Sequence, residues 1–372
     1  MKILFSSLAA HGHTYPMLPL AIAAKAHGHQ VVFATHESFH RTLATLGFEP
    51  ESAGTPVWTA FVEAAGHRPN PAELTGAEAG RLAAAVFGDR LPDGIATDLA
   101  PVLARHRPDL VVWGAANAGA DIAARAAGIP SICHGFGRAG WPADLSEVAA
   151  RHGVAPYEFS PGLVAGQVYL DIFPPSLQDK AFLDGSADRL PLRPVAFSEP
   201  GELPLTGRPL VYLTLGTAFG SPGVLRAAID GLAATGVHVL VATGPTVDAA
   251  GLGPLPDRVT VQSWVPQADL LPRVDLVVHH GGAGTTLGAA AAGVPQLFLP
   301  QGADQFTNSD AVVGIGAGRA LTREEVSAGS ITGAAATLLD DRATALAARG
   351  LAEEIAAMPA PAAVAARLPE FA

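Results

Sequence analysis

The sequence predicts an α/β protein built from two doubly wound, Rossmann-like parallel sheets. Three observations carry that reading. Short apolar runs alternate with Ala- and Leu-rich helical stretches, the alternation restarts in the second half, and 372 residues suffice for two domains of ordinary size. Hydrophobic residues make up 49% of the chain and charged residues 15%, which places it far from disordered sequences. The 41 glycines and 31 prolines read as turn punctuation.

In the first half the expected strands are Ile3–Ser6, Val31–Thr35, Leu110–Trp113 and Ser131–His134. Helices Leu18–His27 and Ala118–Ala127 lie between them, the second stopped by Gly128 and Pro130. The second half repeats the pattern with Val211–Thr214, Val237–Thr243, Val259–Ser263, Leu276–His279 and Gln296–Leu299. Between the halves, Pro191, Pro194, Pro200, Pro204 and Pro209 suit an extended linker, which puts the boundary near 198–208. The division is an N-terminal domain over 1–200 with the linker at its end, a C-terminal domain over 201–357, and a helical tail over 358–372 packing back on the N-terminal domain. Thr322-Arg323-Glu324-Glu325 reads as a capping box opening a helix that runs to about Ala357. Open parallel sheets bind ligands beyond the carboxyl ends of their strands, so two facing domains predict a site in an interdomain cleft.

Charge narrows the partners. A net charge of −11 gives no general attraction for nucleic acid or anionic membranes, so any phosphate must be held by a local site. Cys133 is the only cysteine, and no internal disulfide is possible. The apolar start breaks into His11-Gly12-His13 without a cleavage region, and no apolar stretch reaches 18 residues uninterrupted. A cytoplasmic protein with no membrane span is expected; a homodimer is among the oligomeric states left open.

The most informative stretch is Asp275-Leu-Val-Val-His279-His280-Gly281-Gly282-Ala283-Gly284-Thr285-Thr286-Leu287. An apolar strand runs into three glycines and two threonines and then into a helix over Leu287–Ala292. Glycines let a ligand approach the backbone, and the free N–H groups at a helix start hold an anion. No lysine follows the glycines and the spacing is not that of a dinucleotide fingerprint, so neither familiar phosphate loop applies. The bland alternative is a tight strand-to-helix turn.

Three runs in order, Val261-Gln262-Ser263-Trp264-Val265-Pro266-Gln267, then His279 to Thr286, then Pro300-Gln301-Gly302-Ala303-Asp304-Gln305, resemble the donor-sugar signature of the family 1 glycosyltransferases of GT-B fold. The closest branch decorates antibiotics and other secondary metabolites. Gly12-His13-Thr14-Tyr15-Pro16 resembles that family's Gly-His-x-x-Pro turn, and Leu213-Thr214-Leu215-Gly216-Thr217 its interdomain loop. The similarity spans nearly the whole chain.

The resemblance implies roles. Trp264 stacks on the nucleotide base, with the Val265 backbone and Gln267 reading the base edge. His280, Thr285 and the backbone of Gly281, Gly282 and Gly284 hold the diphosphate, beside Gly216 and Thr217. Asp304 and Gln305 bind sugar hydroxyls, and His13 is the general base. Each has a plain alternative: a core tryptophan, a surface turn after Pro300, a structural histidine. His279, one strand residue before His280, points the other way and reads as structural.

Two departures from the family pattern matter. Members with a His–Asp pair carry the aspartate where this chain has Gly114; Asp121, seven residues on, is the substitute candidate. Many UDP-sugar users carry a glutamate for the ribose hydroxyls where this chain has Gly288, which favours a dTDP-activated sugar. No Asp-x-Asp and no His/Cys cluster with metal spacing occurs, so no metal or other cofactor is expected beyond the nucleotide-sugar co-substrate. The expected activity is inverting transfer of a sugar to a hydrophobic natural-product acceptor. A lining for it is offered by Trp58, Phe61, Phe87, Trp141, Tyr157 and Phe159. The alternatives are a nucleotide-sugar epimerase or hydrolase, and a non-catalytic auxiliary protein that activates a partner transferase.

Overall fold

The computed structural model describes residues 1–67, 76–139, 143–155, 158–159, 167–185, 188–204, 207–217, 221–245 and 247–372. Two compact units result, each described by itself: unit 1 comprises 1–172, 179–192 and 359–372, and unit 2 comprises 173–178 and 193–358. Trp141 and Tyr157 lie outside the described residues.

Unit 1 is a seven-stranded sheet, all parallel. Its strands are β1 (Lys2–Ser6), β2 (Gln30–Thr35), β3 (Glu49–Ser52), β4 (Leu110–Gly114), β5 (Ser131–His134), β8 (Tyr169–Asp171) and β9 (Arg189–Pro191); a two-strand antiparallel ribbon, β6 (Ala143–Asp144) with β7 (Glu158–Phe159), stands apart. The spatial order β3-β2-β1-β4-β5-β8-β9 reverses direction between β1 and β4. β4 is buried along its whole length because helices cover both faces, which explains why it reads as an unbroken apolar run. Helix Leu91–His106 packs Ile95, Leu99, Val102 and Leu103 into the core, together with Ile122 of helix Ala118–Ala126. The terminal helix Pro361–Ala365 packs on Leu18–Ala26.

Unit 2 repeats the design with β10 (Leu210–Thr214), β11 (His238–Ala242), β12 (Val259–Gln262), β13 (Leu276–His279), β14 (Gln296–Phe298) and β15 (Gly318–Ala320), in the order β12-β11-β10-β13-β14-β15, again all parallel. Here the reversal lies between β10 and β13. The Pro-rich stretch joins this unit from Arg193, where Leu203 packs beside Leu210, Val265 and Leu271, so the division falls earlier than the expected 198–208.

Two local expectations change. The helix after β13 begins at Ala283, four residues before Leu287, and Gly282 is its N-cap. Thr322 and Glu325 do pair, with Thr322 N–H donating to Glu325 at 2.7 Å, but they close a turn. The helix opens at Ala328, under a reciprocal cap formed by Ser327 and Ser330. Among the described residues no helix is long and apolar enough to cross a membrane.

Candidate active site

In a doubly wound sheet the loops diverge where the strand order reverses, leaving a crevice at the carboxyl edge. Unit 2 puts the loops after β10 and β13 at that point. Gly216, in the left-handed region at φ 76°, carries the first loop away, and its N–H donates to Thr214 Oγ1 at 3.2 Å. Thr217 follows, half-buried. The His280 ring fills the slot between the loops. A Cβ on Gly216 would collide with the ring, and one on Gly282 would lie 2.5 Å from Nε2. Glycine at both positions is therefore what admits the imidazole. Burial lowers the His280 pKa to about 4, partly offset by a hydrogen bond to the Thr214 backbone, so the ring is neutral at pH 7 and carries a single N–H.

The helix Ala283–Ala291 starts directly behind this ring. Its first-turn amides, those of Ala283, Gly284 and Thr285, have no helical acceptor, whereas Thr286 N–H already reaches Gly282 O at 3.0 Å. A Cβ on Gly284 would meet nothing within 4 Å, so the space over that turn is open. Gly281 departs from its expected role. Its N–H donates to His279 Nδ1 at 3.2 Å and its carbonyl accepts from Asn308 Nδ2 at 2.9 Å, so this glycine at φ 95° shapes the loop and has no free amide for a phosphate.

The segment after β12 leaves Ser263 and Trp264 exposed and buries Val265 and Pro266. Trp264 is 40% exposed, which removes the core-tryptophan alternative, and Val265 beside it is buried among Leu270, Leu271 and Val277. Gln267 Nε2 donates to Thr285 Oγ1 at 3.0 Å, joining this segment to the glycine-rich loop.

Asp304 and Gln305 differ in their surroundings. Asp304 sits at the start of helix Gln305–Gly314; burial raises its carboxyl above the ordinary value, partly offset by the Asn308 amide donating at 2.9 Å. Gln305 is buried, and its amide oxygen accepts from Gln301 N–H at 2.7 Å and Gly302 N–H at 3.1 Å. That oxygen is committed to the turn, which leaves only the amide nitrogen for a sugar hydroxyl.

Unit 1 has its own reversal, between β1 and β4. The loop after β1 leads into a short helix, His11–Thr14, pinned by Thr14 Oγ1 to Ser7 Oγ at 2.9 Å and to Leu8 O at 3.1 Å. Asn117 Nδ2 donates to Ser6 Oγ at 2.9 Å, tying the loop after β4 to β1. His13 packs its ring on Phe136, centroids 4.4 Å apart, and burial lowers its pKa to about 4. His11 instead packs edge-on against Tyr15 and Phe39.

Asp121 does not take the place of the missing carboxylate. Its helix runs from the carboxyl edge of β4 back towards the amino end of β5, so by residue 121 the chain has left the crevice. The fully buried carboxylate accepts from Arg125 Nε at 2.8 Å and from Ser131 Oγ at 2.5 Å, at the first residue of β5. Nor is there vacant room at Gly114, where a Cβ would sit 3.3 Å from Met17 Sδ. Of the proposed acceptor lining, Phe61 lies 6.1 Å from Trp58 and 5.8 Å from Phe87, ring centre to ring centre, and Phe61 and Phe87 pack on the core; Phe159 is placed only as part of β7.

Elsewhere, Glu49 and Glu51 on edge strand β3 bring ligand atoms within 4.8 Å of each other and of His106, a grouping that no short-range spacing reveals. Glu51 is already engaged by Arg105 at 2.6 Å and His106 at 2.5 Å.

Comparison with known proteins decides the family. Residues 227–371 match the family described as Erythromycin biosynthesis protein CIII-like, C-terminal domain. Over 387 residues, 98% of this chain and 97% of the relative, the sequence is 35% identical to the L-demethylnoviosyl transferase of Streptomyces niveus. The chain belongs to the antibiotic-pathway glycosyltransferases. This glycosyltransferase shares 30% identity and a TM-score of 0.81 with the glycosyltransferase SnogD of Streptomyces nogalater, with all of both chains covered. It shares 27% identity and a TM-score of 0.79 with the spinosyn rhamnosyltransferase SpnG complexed with thymidine diphosphate, over 99% of this chain and 100% of that one. The two-sheet architecture of the glycosyltransferase is accordingly the GT-B fold.

Proposed function

We propose that the chain moves a sugar from a dTDP-sugar, bound by unit 2, to a hydroxyl of a hydrophobic natural product bound by unit 1, with inversion at the anomeric carbon and without a metal ion. The observation that carries the donor half is the convergence of the open first turn of helix Ala283–Ala291, the slotted His280 ring and the exposed Trp264 face. Helix-start amides and a neutral imidazole N–H suit a diphosphate, and an exposed indole suits a base. The thymidine diphosphate held by SpnG agrees with that choice. At Gly288, which the family resemblance places near the ribose, the nearest atoms to an added Cβ are carbons of Leu271 and Ala196, at 2.7 and 3.7 Å. A carboxylate side chain at this buried position would collide with Leu271.

In the reaction, His13 takes the proton of the acceptor hydroxyl. The oxygen bonds to the anomeric carbon as the bond from that carbon to the diphosphate oxygen breaks. The departing dTDP carries the electron pair, and its charge is met by the amides of Ala283, Gly284 and Thr285 and by His280. One displacement inverts the centre. Burial keeps His13 neutral at pH 7, the form a base requires.

The test has two arms. Thermal unfolding with dTDP and with UDP should show the larger stabilisation with dTDP, about 2.7 kcal/mol at 100-fold excess over its Kd. Equal shifts would remove the dTDP assignment. His13→Ala should lose transfer by about 10²–10⁴-fold with dTDP binding unchanged; parent-like turnover would exclude His13 as base, whereas a parent that turns over only when a partner transferase is added would favour the auxiliary-protein reading.

A further inference from the structure

Behind the cradle runs an unbroken chain of buried hydrogen bonds that the reaction above does not use. Gly281 N–H can only donate, so His279 Nδ1, 3.2 Å away, must accept. The proton of the neutral ring then sits on Nε2, which donates to Gln296 Oε1 at 2.9 Å. With its oxygen spent, Gln296 turns its nitrogen to Thr286 O at 3.3 Å. On the other side, Asn308 Nδ2 donates to Gly281 O and to Asp304 Oδ2, each at 2.9 Å. The Gly281 N–H thus dictates the direction of the links through His279 and Gln296, while the carbonyl and carboxylate acceptors fix that of Asn308.

We propose that His279, Gln296 and Asn308 form a positioning relay that fixes the Asp304 carboxylate relative to the diphosphate cradle of the helix Ala283–Ala291. The relay rests on the donor assignment made under Proposed function. All three side chains are fully buried, so bulk water does not replace the links among them and Gly281; the bond to Asp304 is the part-buried end of the chain. Asn308 Oδ1 is buried with no partner among the described residues, which costs the fold without return. Its nitrogen, holding the loop and the carboxylate together, is what the site gains from an asparagine there. Gly281 is pinned from a third direction, since a Cβ on it would lie 2.7 Å from Gln305 O. The loop and the helix bearing Asp304 therefore have little freedom to shift independently. His279 is held neutral by burial, with a pKa of about 3, so the polarity of the chain does not invert at working pH.

The test separates the sugar end from the phosphate end by calorimetric titration of the full chain with dTDP and with dTDP-glucose. Asn308→Leu should weaken dTDP-glucose about tenfold or more while dTDP stays within about twofold, because the link to Asp304 is lost while the loop, though it also loses the bond at Gly281 O, keeps the Gly281 N–H to His279 anchor. His279→Asn keeps an acceptor for Gly281 but drops the bond to Gln296, and should weaken both ligands. In the double variant the losses for dTDP-glucose should fall short of multiplying, since the second substitution acts on a chain already broken. Should Asn308→Leu not fold, Asn308→Asp, which faces Asp304 with an acceptor in place of the donor, carries the same expectation. Equal losses for the two ligands in the Asn308 variant, no loss, or fully multiplying losses would overturn the relay. So would a parent that binds dTDP-glucose no tighter than dTDP. A parent that binds neither ligand would instead overturn the donor assignment and the relay's role with it.

Discussion

Gly282 and Gly284 are two residues apart, and adding a methyl group at each should have opposite consequences. At Gly282 the new Cβ meets the His280 ring at 2.5 Å, while φ of −62° is open to any residue, so the whole cost falls on the imidazole. Gly282→Ala should displace His280 and cost about tenfold or more in dTDP affinity, the range expected for losing a hydrogen bond to a charged group. At Gly284 the new methyl meets no protein atom, and alanine in a helix is favoured over glycine by about 0.5–1 kcal/mol. Gly284→Ala should therefore raise the unfolding free energy yet weaken dTDP, because the methyl occupies the space over the first turn. Urea melts paired with dTDP titrations check both; a Gly284→Ala protein that binds as tightly as the parent would place the diphosphate elsewhere. The sequence made His280, Trp264 and the glycines legible because they lie within one short run. It did not single out Asn308 and Gln296, since their partners Gly281, His279 and Thr286 lie at no recognisable spacing. Two signals were nonetheless present: an amide at the head of an otherwise apolar strand, and Asn308 four residues after Asp304, one helical turn away. The same limit misassigned Asp121, whose partner Ser131 belongs to the next strand.

At the scale of elements, legibility followed burial. β4 and β10, covered on both faces, announce themselves as continuous apolar runs. β3 is Glu-Pro-Glu-Ser, half-exposed at a sheet edge where a proline is tolerated and charges guard against further pairing, so nothing in its composition says strand. Helix starts were harder, because several residues compete as caps. Thr322 and Glu325 satisfy the capping pattern on paper, yet Ser327 has the extended backbone of an N-cap, at φ −147° and ψ 160°, and exchanges bonds with Ser330. Two substitutions should show which cap carries the helix. Ser327→Ala should cost about 1 kcal/mol of unfolding free energy, the usual worth of such a cap. Thr322→Ala, in an exposed turn ahead of the helix, should stay within about 0.5 kcal/mol. Chemical denaturation separates the two, and a larger loss at Thr322 would show that the turn, not Ser327, anchors helix Ala328–Asp340.

For the molecule as a whole, both doubly wound units were legible, and with them the carboxyl-edge loops; what the pattern could not convey is how many histidines those edges bury or half-bury. His13, His134 and His280 are lowered to about 4 and His279 to about 3, burial being the main cause in each. In the unfolded chain the same rings take up protons near pH 6.5. The unfolded state therefore binds more protons between about pH 6.5 and 4, and stability must rise with pH across that window and fall as the solution is acidified through it. Each fully responding ring contributes up to about 1.4 kcal/mol per pH unit, so four together should remove several kcal/mol between pH 7 and 5. Asp304, raised by burial, works in the opposite direction, one group against four. Paired carboxylates such as Glu51 and Asp93, held below their ordinary values, lose their contribution only at lower pH. Unfolding free energies from urea titrations at half-unit steps from pH 7.5 to 5 should fall steeply below about 6.5. A flat profile would mean that these rings protonate as readily in the native protein as in the unfolded chain, and that the neutral His13 and His280 assumed for catalysis are not the forms the fold enforces.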